Sequence, residues 1–199
     1  MLRDRIKTAL AALEPLAITE TDHAKKGFAL DVQVEAGQVV DVAEIARQEE
    51  FFIEAVTGVD WFGEQAAIAA EAAKKKAVAV KKAADAAAAA AAEAGEEAAV
   101  PAPEQEEAPA EEAELLPDVM EVVYDFSHYQ ENCRVVVRTR IPRDNPELPT
   151  ISSIFQGANW HERETHDFFG IRFLDHPDLT PLLLPEDADF HPLRKDFTA

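Results

Sequence analysis

The sequence predicts an α/β (α+β) domain that is interrupted by a low-complexity insertion and finished by an extended tail. Three observations support that class. Apolar and polar residues alternate at Phe28, Leu30, Val32 and Val34, again from Met120 through Val122 and Tyr124 to Phe126, and again at Cys133, Val135 and Val137, as in half-buried strands. Apolar residues also fall on helical stripes, as at Leu2, Ile6, Leu10 and Leu13. Residues 64–114 follow neither pattern, and alanine fills 24 of those 51 positions.

In chain order, the first helix is amphipathic. Asp4 and Glu14 interrupt it and no cleavage pattern follows, so it does not read as a signal peptide. The strand Phe28–Val34 comes next, then a turn at Ala36-Gly37, with Val39-Val40 read as the start of a short partner strand. Asp41 is expected to cap a second helix, Glu44 completing a capping box. Val42, Ile45, Phe52, Ile53 and Val56 are expected as its inward face, and Val59–Phe62 as a strand that runs into the insertion. Beyond the insertion the strand from Met120 to Phe126 leads through a polar turn at 127–132 to a strand with Cys133, Val135, Val137 and Ile141 inward. The insertion is therefore expected between neighbouring strands, a place where added length costs entropy only logarithmically. Arg134, Arg138 and Arg140 share the outer face of the last strand, either as a cross-strand-paired face or as a contact for an acidic partner.

Within 64–114 the first half carries Lys74, Lys75, Lys76, Lys81 and Lys82, while Glu93–Glu114 holds nine glutamates, no basic residue and three prolines. Alanine favours helix but offers little to pack, and the Pro/Glu part has the composition of disorder. A solvated insertion, disordered or partly helical, is the expectation; lysine–glutamate self-association or an inter-subunit tether is the alternative.

The net charge of −20 argues against nucleic-acid binding by phosphate neutralisation. Removing the insertion's 12 acids and five lysines leaves −13, so the acidity belongs to the rest of the chain as well. Cys133 is the sole cysteine, which excludes an internal disulfide and a complete thiolate set for a cluster or structural zinc. No apolar run approaches the roughly 18 residues of a membrane span.

The last fifty residues are the most informative. Asn159 is expected to cap a helix, with Glu162 completing a capping box and Trp160, Phe168 and Phe169 as apolar anchors. Glu162 is expected to reach His166, and Arg163 to reach Asp167, both at i,i+4, with Gly170 ending the helix. An ion-paired structural network is expected around Glu162, Arg163 and Glu164. His161 and His166 lie five apart, about 140° around a helix, and do not converge on one metal ion as a zinc helix requires. No glycine-rich phosphate loop or nucleophile pattern occurs, so the chain shows no chemistry of its own. The following tail carries Pro177, Pro181, Pro185 and Pro192, which exclude helix and central strand. Yet it also carries Leu179, Leu182, Leu183, Leu184, Phe190, Leu193 and Phe197, and must lie on its own domain or on another chain.

Trp160-x-Glu162-Arg163-Glu164-x-x-Asp167-Phe168-Phe169-Gly170-Ile171-x-Phe173-x-x-His176-Pro177-x-Leu179 resembles the signature of the respiratory complex I 30 kDa subunit family, whose bacterial members are the C subunits of NADH–quinone oxidoreductase. The closing His191-Pro192-Leu193-Arg194-Lys195-Asp196-Phe197 resembles that family's second block, in the right order and spacing. Weaker similarity covers Phe51–Trp61, Met120–Pro142 and Ser152–Asn159. The 64–114 insertion is not a family feature, and Thr180-Pro181 stands where relatives commonly carry basic residues.

The resemblance implies a two-layer domain, a mixed sheet with helices on one face. It implies a subunit without catalytic residues, cofactor or metal of its own, the iron–sulfur clusters, FMN and quinone being held by partner subunits. It implies docking on a hydrogenase-like quinone-binding subunit and adjacent iron–sulfur subunits, with the membrane arm reached indirectly, at the cytoplasmic face of the bacterial inner membrane. Glu162, Arg163, Glu164, Asp167, Gly170, His176, Pro177, Leu179, His191, Pro192, Leu193, Arg194, Lys195 and Asp196 are the structural or docking residues it marks, with Arg194 and Lys195 binding acids on the neighbour. The expected segments are 1–63 and 117–172 as the two halves of the domain, 64–116 as the insertion and 173–199 as the docking tail. The equivalent subunit of an energy-converting membrane hydrogenase, or of a deazaflavin- or ferredoxin-driven dehydrogenase, is the nearest alternative. A free-standing acidic adaptor that uses the insertion is the alternative of another class, and a hydrolase built on the histidines is the weakest.

Overall fold

A computed structural model describes residues 2–64, 67 and 118–198. The chain divides into two units, Met1–Phe62 with Asp118–Ala199, and Gly63–Pro117; the expectations for the insertion lie outside the described residues.

The first unit is built on a mixed five-stranded sheet in the order β1-β2-β5-β4-β3. The strands are β1 (Ala17–Glu20), β2 (Leu30–Val34), β3 (Phe51–Asp60), β4 (Val119–His128) and β5 (Arg134–Pro142). All neighbours are antiparallel except β2 and β5, which run parallel with Val32 opposite Val137. A parallel pair needs a crossover, and α3 (Val39–Gln48) lies in it, followed by β3 and β4. The register of β3 on β4 shifts between Ile53 and Ala55, leaving Glu54 as a bulge. A second, two-stranded parallel sheet pairs β6 (Glu147–Pro149) with β7 (Arg172–Leu174). The remaining helices are α1 (Leu2–Ala11), the short α2 (His23–Lys26) and α4 (Ala158–Phe169).

One face of the large sheet is apolar because the period-two pattern places Leu30, Val32, Val34, Met120, Val122, Tyr124, Phe126, Val135, Val137 and Ile141 on it. Against it pack Leu2, Ile6 and Leu10 of α1, Val39, Val42, Ala43 and Ala46 of α3, and Ala158 and Phe169 of α4. These spacings are the helical stripe that the sequence shows for α1.

Several local expectations are corrected. Val39-Val40 begins α3 rather than a strand, and Asp41 sits in its first turn rather than capping it. The capping box belongs instead to Glu35 and Gln38, around a 3-10 turn at Ala36–Gln38; Gln38 Nε2 also donates to Leu13 O at 2.6 Å. Phe52, Ile53 and Val56 belong to β3, which starts at Phe51 rather than Val59, and not to the helix. Phe173 and Leu174, expected in the tail, form β7, and Phe173 is fully buried.

On the opposite sheet face the three arginines are committed to acids of their own sheet. Arg138 bonds Asp31 at 3.1 Å and Glu121 at 3.0 Å, Arg140 bonds Glu121 at 3.1 Å, and Arg134 bonds Asp125 at 2.8 Å and reaches the bulged Glu54 at 3.3 Å. Glu121 is nearly inaccessible under its two guanidiniums. These are cross-strand pairs, with Asp31 across the parallel β2–β5 ladder and with Glu121 and Asp125 across the antiparallel β4–β5 ladder, and the exposed ones contribute little each.

Candidate functional site

Helix α4 and the tail form one constellation. The helix begins at Ala158 with no side-chain cap, so the expected Asn159–Glu162 box is absent. Trp160, expected as an anchor, is 60 % exposed, and the Arg163 guanidinium lies 5.5 Å from its ring centre. Neither expected i,i+4 ion pair forms, because both acids face the protein interior and take partners far along the chain.

Glu162 is wholly buried. One carboxylate oxygen accepts from the Ile151 N–H at 2.8 Å, the other from the Thr150 hydroxyl. His176 Nε2 lies 3.7 Å away, its side chain equally inaccessible. Burial pushes the Glu162 carboxyl up to about 7, against the opposing pull of the two hydrogen bonds. Burial also pushes the His176 imidazole down.

Asp167 is almost fully buried, and its Oδ2 accepts from the N–H groups of Leu182 and Leu183, both at 2.8 Å. Arg163 turns to the same stretch, donating to Thr180 O at 2.9 Å. The prolyl tail cannot satisfy its own backbone by helix or ladder bonds, and these two side chains supply partners instead.

The helix ends at Gly170, which sits in the left-handed region at φ 72° as expected. The last four carbonyls of any α-helix lack intrahelical donors, and here all four are taken. Gly170 N–H donates to His166 O at 2.8 Å, His191 Nδ1 to Asp167 O at 2.8 Å, Leu193 N–H to Phe168 O at 3.2 Å, and Arg194 Nε to Phe169 O at 2.7 Å. Three of the four caps come from the tail. The absent Gly170 side chain makes room for them, since a Cβ there would stand 2.5 Å from both His191 Nε2 and an Arg194 nitrogen.

Farther along, Asp60 at the end of β3 is 4 % exposed and accepts from Lys195 N–H at 2.9 Å and from both Arg143 Nε and its terminal nitrogen, at 3.1 and 3.2 Å. Arg143 also reaches Asp196 at 2.6 Å. Burial alone would raise the Asp60 carboxyl, but the Arg143 bond and the N–H groups of Lys195 and Phe62 outweigh it and hold the carboxyl below its ordinary value. Asp60 and Arg143 carry no sequence signal for this role, because Arg143 and Lys195 lie 83 and 135 residues from Asp60 in the chain.

The sequence-marked residues therefore separate into groups. Glu162 bonds the Thr150–Ile151 segment, with His176 Nε2 3.7 Å away; Asp167 and Arg163 hold 180–184; Gly170 admits His191, Leu193 and Arg194. The Arg194 side chain caps α4, and Lys195 contributes its backbone N–H to Asp60 while its ammonium lies 5.7 Å from the Trp61 ring centre. Leu179 packs against the core, Pro177 is exposed, and Glu164 is half-buried outside these contacts. The tail leaves Leu183, Phe190, Leu193 and Phe197 exposed, the two phenyl rings stacked at 5.6 Å, together with the acids Glu186, Asp187 and Asp189.

Among the described residues, no three His, Cys, Asp or Glu side chains gather as metal ligands, and no helix is long and apolar enough to cross a membrane. What the constellation can do is present a surface.

Residues 32–199 match the family described as the respiratory-chain NADH dehydrogenase 30 kDa subunit. The chain is 43 % identical over 81 residues to the C subunit of F(420)H(2) dehydrogenase from Methanosarcina mazei, covering 40 % of this chain and 51 % of that one. It is 41 % identical to the C subunit of NADH-quinone oxidoreductase from Mycobacteroides abscessus, over 39 % of this chain and 34 % of that one. It is 48 % identical to the C subunit of the Thermus thermophilus oxidoreductase, over 34 % and 32 %. The matched stretches thus span about half the length of these relatives or less. The fold is shared with a trypsin-resistant fragment of Nqo5, at a TM-score of 0.52 and 21 % identity over 90 % of this chain and 100 % of that one. It is also shared with a component of the membrane-bound sulfane sulfur reductase, an archaeal respiratory membrane complex, at 0.60 and 20 % over 98 % and 84 %.

Proposed function

We propose, for a chain that belongs to the respiratory-chain NADH dehydrogenase 30 kDa subunit family, a non-catalytic role in the peripheral arm of a proton-translocating NADH:quinone oxidoreductase. In this reading it stabilises the quinone-reducing module by docking on the hydrogenase-like quinone-binding subunit and adjacent iron–sulfur subunits. It holds no cofactor; the iron–sulfur clusters, FMN and quinone belong to its neighbours, and the complex keeps it at the cytoplasmic face of the inner membrane.

The observation that carries this reading is the two-sidedness of the tail. The amides of Leu182, Leu183, Leu193 and Lys195 and the side chains of His191 and Arg194 are bonded to its own domain, while Leu183, Phe190, Leu193 and Phe197 present their side chains outward. Exposed apolar residues set on a rigid, satisfied backbone lose little entropy when a partner covers them. A buried apolar centre of this kind is where interface energy concentrates.

The test keeps the fold and alters only the outer face. A tag within 64–114 is used to recover the chain from native membranes in mild detergent, with and without Leu183→Glu, Phe190→Glu and Leu193→Glu. The parent chain should bring down iron–sulfur and membrane subunits with NADH-driven quinone reduction, and the triple variant should come down alone though folded. Equal recovery by the triple variant would overturn the docking role. The similarity to the F(420)H(2) dehydrogenase component favours a second reading, the equivalent subunit of a deazaflavin-driven dehydrogenase. Reduced-deazaflavin oxidation instead of NADH oxidation in the recovered complex would decide for it.

A further inference from the structure

We infer that Glu162 and His176 hold one proton between them, and that this proton fastens the root of the tail to α4, so that the seating of the tail follows pH. The inference extends the docking role but does not depend on it.

The geometry supplies the argument. Both side chains are fully inaccessible, and Nε2 stands 3.7 Å from the nearer carboxylate oxygen without a hydrogen-bond partner of its own. The other ring nitrogen, Nδ1, accepts from the Asp178 N–H at 3.1 Å, which fixes the neutral tautomer with its hydrogen on Nε2, the nitrogen nearer the carboxyl. Glu162 accepts from Thr150 and Ile151 just after β6, and His176 follows β7, so the pair ties three segments together at the point where the tail departs.

The other groups facing the pair leave the proton decisive. On the β4 side stands the buried Tyr124, whose phenol burial and the nearby Glu162 charge push up, so that it stays neutral. Around His176, desolvation is the largest influence and lowers the affinity of the imidazole for a proton; the Asn159 backbone and the Asp178 charge raise it, and Arg163 lowers it. No arginine or lysine compensates Glu162 directly among the described residues. With one proton on the carboxyl, the site is neutral. When that proton leaves to solvent, a buried carboxylate remains with two hydrogen bonds and no counter-charge, an arrangement that costs free energy. It is relieved by opening the junction to water or by drawing a proton onto His176, and either one shifts the root of the tail.

The test uses the full chain without partners, so its failure would leave the docking role standing. Carboxyl and imidazole resonances of Glu162 and His176 are followed from pH 5 to 9, together with hydrogen exchange at the Leu182 and Leu183 amides. The carboxyl should titrate near the midpoint of about 7. Protection of the two amides, corrected for intrinsic exchange, should fall about tenfold between pH 6 and 8.5, the equivalent of one unit of coupled proton affinity. Glu162→Gln should abolish that fall. A carboxyl midpoint near the ordinary value of about 4.3 would overturn the proposal, whatever the fate of the variant. So would an undiminished fall in Glu162→Gln.

Discussion

Replacing Gly170 by alanine tests whether the tail is the C-terminal cap of α4. Two penalties are expected. A non-glycine residue held at φ 72° costs about 1–2 kcal/mol. The new Cβ would also stand 2.5 Å from His191 Nε2 and from an Arg194 nitrogen. The guanidinium can swing aside, but only by leaving Phe169 O; the imidazole is clamped by its 2.8 Å bond to Asp167 O and cannot yield without losing it. Two half-exposed capping bonds at about 1 kcal/mol each bring the total to about 3–4 kcal/mol. Urea unfolding at pH 7 measures this, and a double-mutant cycle separates the two parts. In a His191→Ala, Arg194→Ala background, Gly170→Ala should cost only the backbone share, leaving a coupling of about 2 kcal/mol. If the cost is the same in both backgrounds, the tail does not seat against this glycine and the capping argument is wrong.

Gly58→Ala should lose about 1–3 kcal/mol by overpacking, since its Cβ would meet the Phe169 ring at 2.6 Å; Phe169→Leu in the same chain should restore part of it in the same urea titration. Asp60→Asn should cost about 3 kcal/mol at pH 7, because it removes the buried carboxylate of Arg143 and leaves it only the exposed Asp196, and should speed exchange at the Lys195 amide. The Asp60 carboxyl is depressed in the fold, so its stabilisation is complete above the unfolded value of about 3.9 and is lost as pH falls through the lower folded value. An acid-unfolding curve should therefore lose that low-pH component in Asp60→Asn. Glu162 has the opposite sign. Its carboxyl is raised to about 7 from 4.5, so the folded state binds the extra proton between those values and stability declines as pH rises through them. Over pH 5 to 8 this amounts to about 2.5 kcal/mol, and Glu162→Gln should remove it; parallel curves for parent and variant would refute the assignment.

The strands and the first helix were legible because a periodic apolar pattern survives in them: Met120, Val122, Tyr124 and Phe126 all face the core, as do Leu2, Ile6 and Leu10. The errors have physical reasons. Phe52, Ile53 and Val56 fit a helical stripe as well as a strand, and the bulge at Glu54 breaks the alternation that would have separated them. Asp41 and Asn159 are residue types that cap helices, but packing of Val39 and Ala158 begins each helix earlier. In the motif, residue identities were informative and pairings were not. Glu162 and Asp167 read as partners of residues one turn away, whereas burial turned them toward Ile151 and Leu182. Local spacing predicts contacts on an exposed helix face and says nothing about a face covered by another segment. Asp60 was invisible for the same reason.

The anchoring of Lys195 on Asp60 also bears on biosynthesis. A ribosome delivers Asp60 long before Arg143, and Arg143 long before Lys195. Until both have emerged, the end of β3 carries a carboxylate whose native surroundings exclude water but which has only the Phe62 N–H of its native donors. A nascent or prematurely terminated product lacking Lys195 therefore has a frayed strand end beside uncapped α4 carbonyls, the kind of partly folded species that chaperones hold and proteases clear. Closure of the domain at the end of β3 therefore waits for the synthesis of Lys195, 135 residues after Asp60.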